Sequence, residues 1–170
     1  MKTIKLVCCL LVLGFTFEAF AQETETVKLR EIEMLATNYK YLNATSNREE
    51  ALPVKMLQHK AASFNPENSD EYNEGNDEYI VSFTIPDGSI LAAYDKNGEI
   101  MRTIERYKNI KTPTVIAKSI LATYPGWTIS KNIYLITYHT EKGLNKNYKF
   151  KLKKDGNTIR VKTNEDGDFI

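Results

Sequence analysis

The sequence contains very little cysteine and histidine. Its 170 residues include two cysteines, Cys8 and Cys9, and two histidines, His59 and His139. Both cysteines lie in the first apolar segment, so residues 22–170 exclude disulfides, thiolate chemistry and cysteine-ligated metal. The histidines stand apart and form no His-x-x-x-His or Glu-x-x-His pair. The sequence therefore predicts no metal ligand and no catalytic histidine.

Motifs of common catalytic and nucleotide-binding sites are also absent. The chain has no Gly-x-Gly-x-x-Gly, no phosphate loop and no Gly-x-Ser-x-Gly elbow. It also lacks the His-x-x-His and His-x-Gly-His turns that a nucleotidyltransferase needs. We therefore predict no catalytic, cofactor-binding or metal residues, and no cofactor. The prediction is a non-enzymatic protein, with an enzyme of unrecognised type as an alternative.

Long apolar runs are missing except at the N-terminus. Two lysines precede the uncharged run at residues 6–17, and Ala19-Phe20-Ala21 places small residues at the two positions that a signal peptidase reads. The run is shorter than the roughly 20 apolar residues that a membrane-spanning helix needs. We therefore expect residues 1–21 to be a signal peptide cleaved at Ala21-Gln22. The expected location is periplasmic or secreted, with no transmembrane segment after cleavage.

The net charge is small, but its sign changes along the chain. The whole chain carries +1 at pH 7, whereas residues 22–78 carry net −6 and residues 79–170 carry net +6. Overall neutrality and the expected export both argue against a nucleic-acid partner. The acidic stretch at 65–78 contains no lysine or arginine. It predicts a solvated loop or irregular edge strand, with an ion site or a docking patch as the alternative.

Two copies of one helical pattern follow each other. In each copy a proline lies in the first turn of a predicted helix, and an aromatic residue eleven positions later ends the helix. The two pairs are Pro53 with Phe64 and Pro113 with Tyr124. Apolar residues recur between them at helical spacing. The repeat predicts that Leu121 is a core residue that corresponds to Ala61.

Each predicted helix is followed by segments that predict antiparallel strands and tight turns. The predicted strands are residues 79–85 and 90–94 in the first copy, and 129–138, 148–152 and 158–162 in the second. Asp87-Gly88 and Asp155-Gly156 predict hairpin turns, because such turns favour a residue with positive φ. The acidic turns around Gly98 and Gly167 lack the bidentate glutamate of a calcium loop, so they are also interpreted as hairpin turns.

The predicted fold is α+β, with tandem helix-plus-antiparallel-sheet units and the helices on one face of the sheet. The predicted divisions are the signal peptide at 1–21, an N-terminal strand segment at 22–46, a first unit at 47–108 and a second unit at 109–170. Residues 26–42 alternate in pieces and favour a strand. The alternative there is a helix through Leu29, Ile32, Leu35 and Tyr39.

Three motifs carry a resemblance to a known family. They are Tyr94-Asp95-Lys96-Asn97-Gly98-Glu99-Ile100, the proline-started helix at 113–122, and Tyr124-Pro125-Gly126-Trp127-Thr128-Ile129. With them the chain resembles the PepSY-like, β-lactamase-inhibitor-like (BLIP-like) domains exported by Bacteroidota, over roughly residues 50–170 and including the duplication. The resemblance implies periplasmic binding or inhibition through an open sheet face. It supplies no catalytic residues.

Alternation in the second copy predicts a basic sheet face. If Tyr148, Phe150 and Leu152 point toward the helix, the lysines between them share the opposite face. Tyr134 and Tyr138 join that face if Ile133 and Leu135 point inward. The candidate partner-binding face consists of Tyr134, Tyr138, Lys149, Lys151, Lys153, Arg160 and Lys162.

The expected partner of this face is a protein, a peptide or an anionic envelope component, and self-association is a further outcome. Positive charge attracts an acidic partner, although lysine is not a residue that protein interfaces favour. The alternative is a solvent-exposed sheet face that merely needs charged residues. The corresponding function is a structural envelope protein without a specific ligand.

Overall fold

A computed structural model describes residues 21–47, 49–70, 72–73 and 75–170, and within these it describes all side chains except those of residues 21–27 and 29. The helices are α1 (Ala21–Thr37), α2 (Tyr39–Thr45), α3 (Leu52–Ala62) and α4 (Thr114–Thr123), with a 3-10 turn at Pro66–Asn68. The strands are β1 (Glu78–Ile85), β2 (Gly88–Asp95), β3 (Ile100–Lys108), β4 (Thr128–His139), β5 (Gly143–Lys154) and β6 (Asn157–Asn164). The mixed α+β class is confirmed. Apart from Ala21, the predicted signal peptide lies outside the described residues.

The strands form one antiparallel sheet in the order β1-β2-β3-β4-β5-β6. Each strand pairs with the next strand of the chain, so the sheet needs no crossover between distant strands. The register between β3 and β4 runs without interruption from Arg102↔His139 to Lys108↔Ile133. The strands of the two predicted units therefore belong to a single sheet.

The sheet has one buried face and one exposed face. The buried face, called the core face here, carries the large apolar side chains Tyr79, Phe83, Ile90, Tyr94, Tyr107, Tyr134, Ile136, Tyr148, Phe150 and Leu152. Full burial of each such side chain contributes about 1.5–3 kcal/mol relative to exposure. The alternate residues form the open face, where Ile80, Leu91, Ile104, Lys149 and Arg160 are exposed.

Helix α3 confirms the helix that the sequence predicts between Pro53 and Phe64. The proline lies in the first turn, where a backbone N–H has no intrahelical partner. Val54, Leu57 and Ala61 are buried at the predicted helical spacing. The Tyr94 hydroxyl on the core face donates a hydrogen bond to the Ala61 carbonyl at 2.7 Å, which fixes the C-terminal end of the helix to β2.

Helix α4 is confirmed as a helix, but the prediction that Leu121 is a core residue is wrong. Ile116 and Ile120 are fully buried, whereas Leu121 is 54 % exposed. The reason lies in the helix starts. Helix α3 begins one residue before Pro53, whereas α4 begins one residue after Pro113, which is its N-cap. Positions that correspond in the repeat are therefore rotated differently about the two helix axes, so the equivalent of a buried residue in α3 can be exposed in α4.

The N-terminal strand segment predicted at 22–46, and the strand favoured at 26–42, are wrong. Helices α1 and α2 occupy these positions, and the buried residues Asn38, Tyr41 and Thr45 recur at helical spacing. The helical alternative is therefore confirmed as the type of element. Its predicted face is not the buried one, since Ile32 is 62 % exposed and Tyr39 is 65 % exposed. The local pattern of apolar residues could not identify the secondary structure of this segment, because its buried residues include polar side chains whose partners lie far away in the sequence.

Asn38 connects the two N-terminal helices to the rest of the fold. Its amide nitrogen donates to the carbonyls of Ala62 and Gly98, both at 3.0 Å. Its amide oxygen accepts a hydrogen bond from the Ile100 N–H at 2.7 Å. One buried side chain thus satisfies three backbone groups, which would cost about 1–3 kcal/mol each if left unpaired.

Equivalent loops follow β2 and β6. After β2, the Asp95 Oδ1 atom accepts hydrogen bonds from the N–H groups of Asn97 and Glu99 at 2.9 and 2.8 Å. After β6, the Asn164 Oδ1 atom accepts them from residues 166 and 168 at 3.0 and 2.8 Å. Gly98 and Gly167 adopt positive φ in the two loops. The side chains thus support both turns as the sequence analysis expects.

Gly88 has a different role from the one that the turn pattern suggests, because it is needed for space and not for positive φ. A Cβ atom at this position would clash with the Tyr107 ring. We expect Gly88→Ala to lower the free energy of unfolding by about 1–3 kcal/mol, the usual cost of overpacking a core. In a Tyr107→Leu background the same change should cost less. Equal costs in both backgrounds, measured by urea denaturation, would contradict this explanation.

Candidate partner-binding face

Strands β5 and β6 place like charges directly opposite one another on the open face. The register pairs Lys149 with Lys162 and Lys151 with Arg160. On the other side of β5, Lys131 is the partner of Lys151. Like charges in opposed positions destabilise an antiparallel pair by up to about 1 kcal/mol. The arrangement therefore has an electrostatic cost that the fold itself does not require.

These cations line a groove of about 730 Å³. Its six basic residues are Lys108, Lys131, Lys149, Lys151, Arg160 and Lys162. In the part of the chain that the structure describes, no aspartate or glutamate lines the groove. The described salt bridges involve other cations, namely Lys40, Arg102 and Lys146. The groove is thus a concentration of positive charge without internal compensation.

The groove also has apolar walls. Ile133 on β4 lies directly opposite Lys108 on β3 and directly opposite Lys149 on β5, so it stands between the two lysines on the open face. At the β6 edge, Phe169 pairs with Thr163 and contacts Tyr124 edge-on at 5.6 Å between ring centroids. These residues and the exposed Ile170 extend the lining beyond the sheet.

Lys153 lies on the same face, beside the groove and not in it. It lines a neighbouring depression of about 550 Å³ together with Lys154. Lys151 lines both concavities. The structure therefore brings together all five cations of the candidate face, with Lys108 and Lys131 in addition.

Tyr134 and Tyr138 lie on the core face, which separates them from the lysines. They are 2 % and 7 % exposed. Tyr134 stacks on Tyr148 at 4.2 Å and donates a hydrogen bond to the Glu50 Oε1 atom at 3.2 Å. Tyr138 packs edge-on against Tyr41 at 5.3 Å.

The condition set for the two tyrosines is thus not met, because Ile133 and Leu135 occupy the open face. The half-buried Ile133 lies opposite Lys149, whose long aliphatic stem can cover an apolar neighbour while its charge stays in water. Ile136 alternates with the two tyrosines and therefore shares their face of the strand. This apolar neighbour was the feature of the sequence that could have placed the tyrosines on the core face.

Sequence reasoning also missed a buried carboxylate on the core face. Glu105 is fully buried, and its Oε1 atom accepts hydrogen bonds from the hydroxyls of Tyr41 at 2.8 Å and Thr103 at 3.0 Å. Its Oε2 atom accepts them from Tyr107 at 2.9 Å and from the Gln58 amide at 3.1 Å. Burial raises the pKa of Glu105, and the hydrogen bonds act in the opposite direction. Since this carboxylate is closed to solvent, its role is structural.

A second polar group joins the N-terminal helices to the far half of the sheet. The buried Lys146 ammonium donates to the Thr45 carbonyl at 2.9 Å and lies 3.7 Å from the Glu165 carboxylate. Burial raises the pKa of Glu50, while the positive charge of Lys146 lowers it. Lys146 therefore stabilises the fold from the core face, and it does not contribute to the positive charge of the open face.

The two histidines lie on different elements. His59 is exposed on α3, and His139 ends β4, where its Nδ1 atom accepts a hydrogen bond from the Glu141 N–H at 3.1 Å. Within the described residues, no group of three or more histidine, cysteine, aspartate or glutamate side chains is placed to hold a metal ion. No described helix is long and apolar enough to cross a membrane.

The fold and the groove define a class, an α+β protein whose single antiparallel sheet presents a basic concave surface on its open face. A scan against protein-family models and a search of curated proteins found no match.

Proposed function

We propose that this chain is an exported, non-enzymatic binding or inhibitor-type protein whose open sheet face takes an anionic partner. The observation that carries the proposal is the presence of two opposed like-charge pairs on the open face, Lys149 with Lys162 and Lys151 with Arg160. An anion placed between them would replace their repulsion with attraction. A face that needed only solubility would be served equally well by mixed signs.

Concentrated positive charge speeds the encounter with a negatively charged partner, and dissolved salt weakens this attraction. Among the described residues, lysine and arginine are the only charged side chains that line the groove, so positive side-chain charge predominates there. The partner classes that fit are an acidic protein, a peptide or an anionic envelope component. A second copy of the chain, contacting the face with its acidic residues 65–78, is a further outcome.

The PepSY-like and BLIP-like assignment and the tandem organisation belong to the same proposal. The equivalent side-chain bonds of Asp95 and Asn164 support an internal duplication. Helices on one side of the sheet are supported by two core-face residues. Glu105 bonds to Gln58 of α3, and Asn132 bonds to Ile110 just before α4. Export to the periplasm rests on the signal-peptide pattern of residues 1–21.

Reversal of three charges tests the proposal. We expect the combined variant Lys149→Glu, Lys151→Glu and Lys162→Glu to fold, because none of the three forms a described ion pair. Partner capture from envelope extract should fall at least about tenfold, since each tenfold step needs only about 1.4 kcal/mol. Capture by the parent should already weaken as salt rises. Both are measured by quantitative pull-down, with circular dichroism to verify folding.

A charge-matched control is available elsewhere on the surface. The exposed Lys96, Lys118 and Lys142 lie outside the groove, and their reversal to glutamate changes the net charge equally. This control should capture the partner, or self-associate in ultracentrifugation, as the parent does. Salt-insensitive capture by the parent, or equal losses in the two triple variants, would overturn the proposal.

A further inference from the structure

The volume of the groove suits a single small ligand. At about 730 Å³ it falls within the range of about 300–1,000 Å³ that is typical of small-molecule sites. Protein interfaces favour arginine and aromatic residues and are depleted in lysine. Five of the six cations that line this groove are lysines. Its size and composition therefore both favour a small organic ligand over a protein surface.

The lining combines positive charge with exposed apolar surface. Ile133 lies between Lys108 and Lys149 in the row across the sheet, and Ile170 at the edge of the groove is 60 % exposed. A fully polar anion such as phosphate would leave these apolar side chains in water. An anion with an apolar chain would instead cover apolar surface such as that of Ile133, and removing apolar surface from water favours binding.

The type of cation indicates how the ligand is recognised. Arginine presents a planar fork that selects carboxylate or phosphate geometry, whereas lysine acts as a point charge on a long stem. The lysines at 149, 151 and 162 therefore select for negative charge without imposing the geometry of one anionic group. Selectivity for the rest of the ligand then depends on the apolar walls.

We propose that the groove binds an amphipathic organic anion as a free molecule, typified by a medium-chain carboxylate. Its anionic group lies among Lys149, Lys151 and Lys162, and its apolar chain lies over Ile133, the neighbour of Lys149 across the sheet. This inference rests on the proposed function for the anionic character of the partner, and it replaces the macromolecular partner classes given there with a small molecule.

Calorimetric titration of the purified full chain with decanoate, kept below its micelle concentration, tests the inference. Decanoate should bind and should bind more weakly as salt rises. Acetate has the same charge without the chain, and decyltrimethylammonium has the same chain with the opposite charge. Neither of these two should bind detectably. Binding of decyltrimethylammonium with the affinity of decanoate would overturn the inference, because it would show that charge does not select the ligand.

Two variants separate the charge from the apolar wall. The triple change Lys149→Glu, Lys151→Glu and Lys162→Glu should lower decanoate affinity at least about tenfold. Ile133→Thr should lower it roughly threefold or more, because it removes apolar contact, and should leave the salt dependence unchanged. The Lys96, Lys118 and Lys142 reversal should have no effect. If the glutamate variant loses its circular dichroism spectrum, the corresponding glutamine triple variant takes its place and should also weaken binding.

Two further probes distinguish failure of this inference from failure of the proposed function. If decaglutamate, or vesicles that contain an anionic phospholipid, bind through the three lysines while decanoate does not, the ligand is a polymer or a membrane surface. The inference is then overturned and the proposed function stands. If decanoate, decaglutamate and vesicles all fail to bind and envelope extract yields no salt-sensitive partner, both are overturned.

Discussion

Glu105→Ala should lower the free energy of unfolding by about 3–5 kcal/mol, the largest loss that we expect from a single substitution. The change removes the acceptor of four hydrogen bonds from Tyr41, Gln58, Thr103 and Tyr107. It leaves these donors buried beside a cavity. Glu105→Gln keeps the shape and an acceptor oxygen, so it should cost much less. Urea denaturation measures both. Equal losses would contradict this explanation, because they would mean that the volume and the acceptor oxygen that glutamine keeps contribute nothing to stability.

The same carboxylate should make stability depend on pH. Burial raises the pKa of Glu105 above its ordinary value of 4.5, so the folded state holds its proton more tightly than the unfolded state. This contribution to stability is complete below pH 4.5 and is lost as the pH rises through the folded-state pKa. Burial also raises the pKa of Glu50, which acts in the same direction.

We therefore expect the parent to lose stability as the pH rises above 4.5, and Glu105→Gln to lose less over the same interval. Denaturation curves collected at several pH values, with the ionic strength held constant, measure the two slopes. Parallel slopes would mean that Glu105 does not titrate in this interval.

Ile120→Ala should lower the free energy of unfolding by about 2–5 kcal/mol, since Ile120 is fully buried in the core cluster. Leu121 is the next residue on the same helix and is more than half exposed, so Leu121→Ala should change stability by less than about 0.5 kcal/mol. The two variants delete side chains of equal size and have the same helical neighbours. A larger loss for Leu121→Ala would reverse the assignment of the buried face of α4.

Local chemistry was sufficient to predict several elements of the fold. Helix α3 was predicted close to its observed bounds. The prediction came from a proline that suits the first helical turn and from apolar residues at helical spacing. Alternation predicted strands within β1 and β5, the hairpin turns that precede β2 and β6 predicted those two strands, and β4 was predicted as an additional strand of the second copy. The lysines of β5 and β6 could be assigned to one face because alternate side chains of a strand point to opposite sides.

Strand β3 was not predicted, because its core-face positions include Thr103 and Glu105, which break the apolar pattern. Glu105 is accommodated in the core because Tyr41 and Gln58 donate hydrogen bonds to it from helices far away in the sequence. Thr103 in turn donates a hydrogen bond to Glu105. Asn38 was missed for the same reason, since its partners lie in other elements. Burial of a polar group depends on partners that no local pattern contains.

The sequence by itself determined the absence of cysteine from residues 22–170, the change of charge sign along the chain, the α+β class and the lysine alternation in β5 and β6. Only the tertiary structure decided that the strands join in one sheet, that Tyr134 and Tyr138 face the core and that Leu121 faces solvent. It also decided that the lysines oppose other cations and share a groove with Ile133 and Ile170. The physical reason is that alternation and helical period fix which side chains lie together, whereas strand register and helix phase fix which side faces the core.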